Sequence, residues 1–183
     1  IMEYSQARKL SISESHCLDV ILRKTAAMMS LCCELAALLS EANPEQEKAL
    51  INFGTQFGMA FQLMDDAMDY NSEEDSLGKP PGNDFQEGHV TLPLLHLYEN
   101  SEAPLKKRIG SFIENKNLTP EDFDYVLERM RETKSVEYTL ELARHYLEQA
   151  KSSIRSVTFP NPDFIKSFDA IADYIYERAL IQS

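Results

Sequence analysis

The sequence predicts an all-α chain, and three observations carry that expectation. Asn43-Pro44, Thr119-Pro120 and Asn161-Pro162 each set a capping side chain ahead of a proline at a first helical position. Glycine is scarce, six in 183 residues, and Gly78, Gly82 and Gly88 fall in one segment, so the rest of the chain holds few backbone breakers. Nothing alternates apolar and polar residues with the period of two that a half-buried strand requires.

The first helix is expected over 12–41, where Ser11 and Glu14 have the spacing of a capping box. Leu18, Ile21, Leu22, Thr25, Met28 and Met29 form its apolar stripe. The second, 44–71, starts at Asn43-Pro44 and carries Gly54 and Gly58 on one side, where they admit another helix or a substrate chain at close range. Between Leu77 and Gly82 two glycines and two prolines stop the helix, so 72–89 reads as a long loop of the kind that carries function in compact domains. Helices over 90–99, 102–116, 120–133, 136–156 and 162–181 follow, with Ser101, Thr119, Ser135 and Asn161 as their caps. No repeat, low-complexity tract or linker divides the chain, so 1–183 reads as a single helical region.

Thirty acidic residues against eighteen basic ones give a net charge of −12. That field excludes nucleic acid and anionic lipid as electrostatic partners. Cys17, Cys32 and Cys33 sit at no metal-ligand spacing and read as buried free thiols of a reducing compartment. The most apolar run, 25–39, contains Glu34 and is too short to span a bilayer, and no signal peptide is visible. A cytoplasmic protein is the expectation. The start Ile1-Met2 reads as that of a chain from which upstream residues are missing.

The chemistry concentrates in Phe61-Gln62-Leu63-Met64-Asp65-Asp66-Ala67-Met68-Asp69-Tyr70, three carboxylates within five residues of an otherwise apolar helical pattern. On a helix Gln62, Asp65, Asp66 and Asp69 fall at i, i+3, i+4 and i+7 and share a face, with Phe57, Phe61, Met64 and Met68 on others. Oxygen-only ligands suit Mg2+, which is completed by waters and substrate phosphates rather than by a full protein cage. Taken alone, the cluster fits equally a solvated acidic face.

Its neighbours discriminate. Lys24-Thr25 precedes it, and Leu77-Gly78-Lys79-Pro80-Pro81-Gly82-Asn83-Asp84 and Gly88-His89-Val90-Thr91-Leu92-Pro93 follow. This order of motifs over 24–95 resembles the trans-type polyprenyl diphosphate synthases. The resemblance implies an isoprenoid synthase-type helical bundle and a Mg2+-dependent prenyl transfer from an allylic diphosphate to isopentenyl diphosphate. By the same resemblance Asp65, Asp66 and Asp69 are the second aspartate-rich motif and hold metal. Lys24, Thr25, Gln62 and Lys79 serve catalysis and bind the diphosphate. His89 stands where many relatives carry Lys and is a further candidate for substrate contact. Arg178, near the end of a last helix similar to the family's, reads as structural, as do His16, His96 and His145.

Family members carry a first aspartate-rich motif and an arginine pair that are absent from these 183 residues. The chain therefore looks like the C-terminal half of a synthase. It is expected to be incomplete alone and to come from a homodimeric parent. The alternatives are a non-catalytic or regulatory subunit of a heteromeric synthase, and a terpenoid cyclase, against which the loop and Thr91-Leu92-Pro93 segments argue. The 82–95 segment resembles the longer-chain enzymes of quinone side-chain synthesis.

Overall fold

A computed structural model describes residues 13–70, 82–115 and 119–182, and every regular element among them is a helix. They are α1 (Glu14–Ile21), a π-helical turn (Leu22–Ala26), α2 (Ala27–Leu39), α3 (Pro44–Met68), α4 (Asn83–Glu87), α5 (Leu92–Glu99), α6 (Ala103–Asn115), α7 (Pro120–Thr133), α8 (Ser135–Arg155) and α9 (Asp163–Gln182). The all-α expectation holds. The π-helical turn inside the first predicted helix and the short α4 inside the predicted loop are additions.

The helix starts follow the expected side chains at the proline sites. The Asn43 carboxamide oxygen accepts from the amides of Glu45 and Gln46 at 3.0 Å, while the Gln46 carboxamide accepts from the Asn43 amide. Thr119 and Asp122 close a reciprocal capping box, and Asn161 accepts from the Asp163 amide. Ser101 differs from expectation: its hydroxyl donates back to the Leu97 carbonyl at 2.6 Å, which serves the end of α5 rather than the start of α6. Ser11 lies outside the described residues, and Ser13 is the side chain that accepts from the His16 amide.

The helices form two compact units, each assembled from separate stretches of chain. One contains α1, the chain from Asp65 through α7 and the first turn of α8. Its core is aliphatic, with Leu92, Leu94, Leu95, Leu97, Ile109 and Ile113 fully withdrawn from solvent. Gly82 adopts a left-handed φ of 73°, and a Cβ there would lie 2.0 Å from the Phe123 ring. Only glycine fits at that turn.

The other unit holds the π-helical turn, α2, α3 up to Met64, and the rest of α8 with α9. Phe53, Ala150 and Ile154 make its centre, with Phe57 and Phe168 against the Phe53 ring at centroid distances of 5.4 and 4.5 Å. The glycine expectation is met in detail. A Cβ on Gly54 would come within 2.7 Å of the Met29 carbonyl oxygen, and one on Gly58 within 2.6 Å of Ala26 Cα. Lys151, almost enclosed, pairs with Asp173 and Glu148 and ties α8 to α9. The apolar stripe read for the first helix holds at Ile21, which is buried, and is corrected at Leu22 and Met28, which are exposed, while Ala26 and Ala37 are buried outside it. Cys32 is exposed, so only Cys17 meets the expectation of a buried thiol outright.

Candidate active site

The acidic motif closes α3. Asp66 is 5% exposed and Gln62 9%, one turn earlier, whereas Asp65 is exposed, as is Phe61, one turn before it. The four polar residues therefore divide, Gln62 and Asp66 enclosed, Asp65 exposed and Asp69 half-buried. Phe61 is 41% exposed.

Asp69 follows the helix end and holds the start of α4. Its carboxylate accepts from the Asp84 amide at 3.0 Å, and its carbonyl accepts from the Gly82 amide at 2.7 Å. Burial pushes the Asp69 carboxyl up to about 6, the Asp84 charge adds to the rise, and the amides of Asp84 and Asn83 oppose it. Part of its acceptor capacity is thus spent on the chain itself. The sequence reading missed this use, because α4 lies in a segment whose glycines and prolines mask five helical residues.

His89 sits beside the same short helix. Its Nδ1 is 3.6 Å from an Asp84 oxygen and 3.7 Å from a Glu87 oxygen, and its amide donates to the Asp84 carbonyl. It faces these two carboxylates. Below these groups Tyr70 is enclosed, with its hydroxyl 3.3 Å from Thr91. Cys17 reaches the Val90 carbonyl at 3.4 Å. Burial, then the charge of Asp66, lifts its thiol to about 12, so it is no nucleophile.

Within the other unit, Lys24 and Thr25 lie in the π-helical turn, Lys24 exposed and Thr25 half-buried. Thr25 donates its hydroxyl to the Gln62 carboxamide oxygen at 2.6 Å. Lys79 lies outside the described residues. Arg178 is exposed on α9.

The donor set is all oxygen and acidic, which fits Mg2+ and no soft metal. Among the described residues no three His, Cys, Asp or Glu side chains gather closely enough to cage an ion by themselves. Asp65 and Asp66 could take part in holding such a cation, whereas Asp69 is engaged with α4. Among the described residues no helix is long and apolar enough to cross a membrane.

Comparison with known proteins identifies the family of the chain. Residues 1–130 match the family model described as Polyprenyl synthetase. Octaprenyl diphosphate synthase of Haemophilus influenzae is 37% identical over 166 residues, 91% of this chain and 50% of that protein. Component 2 of heptaprenyl diphosphate synthase of Bacillus subtilis is 35% identical over 158 residues, 86% of this chain and 44% of that protein. The polyprenyl synthase of Caulobacter crescentus, solved in complex with calcium and isoprenyl diphosphate, matches with a TM-score of 0.90 and 30% identity over 97% of this chain and 54% of that one. The chain spans about half the length of the relatives it matches. With its motifs, its helices and these matches in agreement, the chain belongs to the polyprenyl synthetase family.

Proposed function

We propose that this chain supplies the second aspartate-rich half of a Mg2+-dependent trans-polyprenyl diphosphate synthase. The reaction joins isopentenyl diphosphate to an allylic diphosphate. The observation that carries the reading is the end of α3, where buried Asp66, exposed Asp65 and the Thr25-held Gln62 follow one another within two helical turns. A solvated acidic face would leave all of its polar residues in water. This one draws two of them inward, which is costly unless they serve a ligand or a bond.

Bound Mg2+ would act as a Lewis acid and template for the diphosphate, held by Asp65 and Asp66. The chain's own part is positional and electrostatic. Lys24 adds a positive charge near the departing diphosphate, and Gln62 offers amide protons to its oxygens. As the allylic carbon–oxygen bond breaks, the bonding pair leaves with the diphosphate. The isopentenyl double bond then supplies the pair for the new carbon–carbon bond, and a proton passes to the released diphosphate to restore a double bond. Enclosed apolar residues of α3, such as Leu63 and Met64, keep water from the cationic carbon. The likeness to long-chain octaprenyl and heptaprenyl enzymes favours a product of that class.

A second reading has one observation in its favour: a 35% identical relative is itself named as one component of a synthase. In that case a separate polypeptide provides the other acidic motif, and this chain acts as its partner. Incubation with isopentenyl diphosphate, a labelled allylic primer and Mg2+ tests both. No product is expected from the 183 residues alone. Elongated product is expected from a polypeptide of full relative length, or on addition of a second subunit. Product from the 183 residues alone would overturn the half-site reading.

A further inference from the structure

We infer that the cleft between α8 and α9 is a second binding site, for a small amino acid with a cationic side chain, whose carboxylate meets Arg144 and whose side-chain cation meets Glu177. The cleft shares no residue with the acidic motif, so the inference stands or falls apart from the prenyl-transfer reading.

Shape comes first. The cleft has a volume of about 360 Å3, near the lower end of the roughly 300–1,000 Å3 of small-molecule sites, which suits a ligand the size of one amino acid. Its polar wall is built at helical spacing, with Arg144, Glu148 and Lys151 from α8 facing Asp173, Tyr176 and Glu177 from α9. Leu147, 2% exposed, and the half-buried Tyr176 give an apolar surface for the methylenes of a side chain.

Charge then selects the occupant. Lys151 is 7% exposed, and its ammonium is held by Asp173 and, at 3.3 Å, by Glu148. A cation this enclosed stays with its partners, because parting them strands a charge away from water. The trio keeps one negative charge in excess. Arg144 and Glu177 add one charge of each sign; both are exposed, and neither forms an ion pair among the described residues. Two cations against three carboxylates leave the lining at −1, which repels simple anions. No three acidic side chains among the described residues gather closely enough to cage a metal. An organic cation restores neutrality, and the uncommitted Arg144 selects one that also carries a carboxylate. Glu148, one turn from Arg144, keeps acceptor capacity for an α-ammonium group. Arginine and lysine have this pattern of two positive groups, one negative group and a net charge of +1.

Isothermal titration of the 183-residue chain with L-arginine, L-lysine and agmatine tests the site. Agmatine keeps the guanidinium of arginine and lacks its carboxylate. Arginine is expected to bind at one site per chain, about tenfold more tightly than agmatine. Arg144→Gln should abolish that preference by weakening arginine alone, and Glu177→Gln should weaken both about tenfold. Both side chains are exposed, so the variants spare the fold, and urea melts verify it. Absence of saturable binding by both arginine and lysine overturns the inference. So does an R144Q chain that still prefers arginine to agmatine, or an E177Q chain that binds as wild type does, since the ligand would then lie outside the cleft.

Discussion

His96 shows how a residue without a motif acquires a definite duty. Its ring stacks on Tyr138 with centroids 4.2 Å apart, and its Nδ1 lies 3.0 Å from the Ser135 hydroxyl. Burial lowers its pKa from 6.5 despite the opposing charges of Glu14 and Glu99, so the folded chain holds the ring neutral. The unfolded chain takes up the proton first as pH falls. The contribution of His96 is therefore complete above about 6.5, shrinks below it, and levels off once the folded state is protonated as well. Chemical denaturation between pH 7.5 and 5 should give His96→Phe a flatter stability profile than wild type over that window, because phenylalanine keeps the stack and drops the proton. Parallel profiles would remove His96 from the account. At this scale the sequence was a good guide to residue types and a poor one to directions. Asp65 and Asp66 are adjacent and chemically identical, and only packing decides which one is enclosed. For His89 likewise the sequence does not tell that its ring meets Asp84 and Glu87, which α4 brings beside it.

At the scale of elements, the close approach of α2 to α3 is the most exacting feature. Gly54 and Gly58 meet backbone atoms and the Cys33 sulfur at distances that no Cβ tolerates. Gly58→Ala should cost about 1–3 kcal/mol as the helices shift or strain, since Ala26 Cα cannot swing aside as a long side chain would. Urea melts of wild type and G58A measure this. Equal midpoints would mean that the two helices are less tightly joined than their geometry states. The spacing of the two glycines was legible in advance, as were the proline-led helix starts, because both depend on local chemistry. The π-helical turn was not. A period of 3.6 residues fits either half of the 14–39 segment, and the one-residue offset becomes visible only when Gly58 reveals that Ala26, rather than Thr25 or Leu22, takes the buried register. The small helix α4 was hidden for a related reason: it is held by Asp69 from a distant stretch of chain rather than by its own sequence.

For the whole molecule, a net charge of −12 repels the anions that the proposed function requires, so the diphosphate and its metal must arrive as mutual conditions. The carboxylates Asp65 and Asp66 attract the cation, the cation attracts the diphosphate, and neither ligand alone satisfies the other's charge. Thermal unfolding reads this coupling, because a ligand bound only by the folded chain stabilises it by RT ln(1 + [L]/Kd), about 2.7 kcal/mol at a hundredfold excess over Kd. For a chain of this length that corresponds to roughly 5–10 °C. Mg2+ alone and pyrophosphate alone should each move the midpoint by less than about 2 °C on this relation, and the two together by several degrees. In the Asp65→Asn, Asp66→Asn double variant the combined shift should vanish, and added chelator should reverse it in wild type. A full shift with pyrophosphate in the absence of metal would assign recognition to Lys24 and its neighbours and leave the acidic end of α3 without its proposed role. An equal shift in the double variant would move the metal elsewhere in the chain.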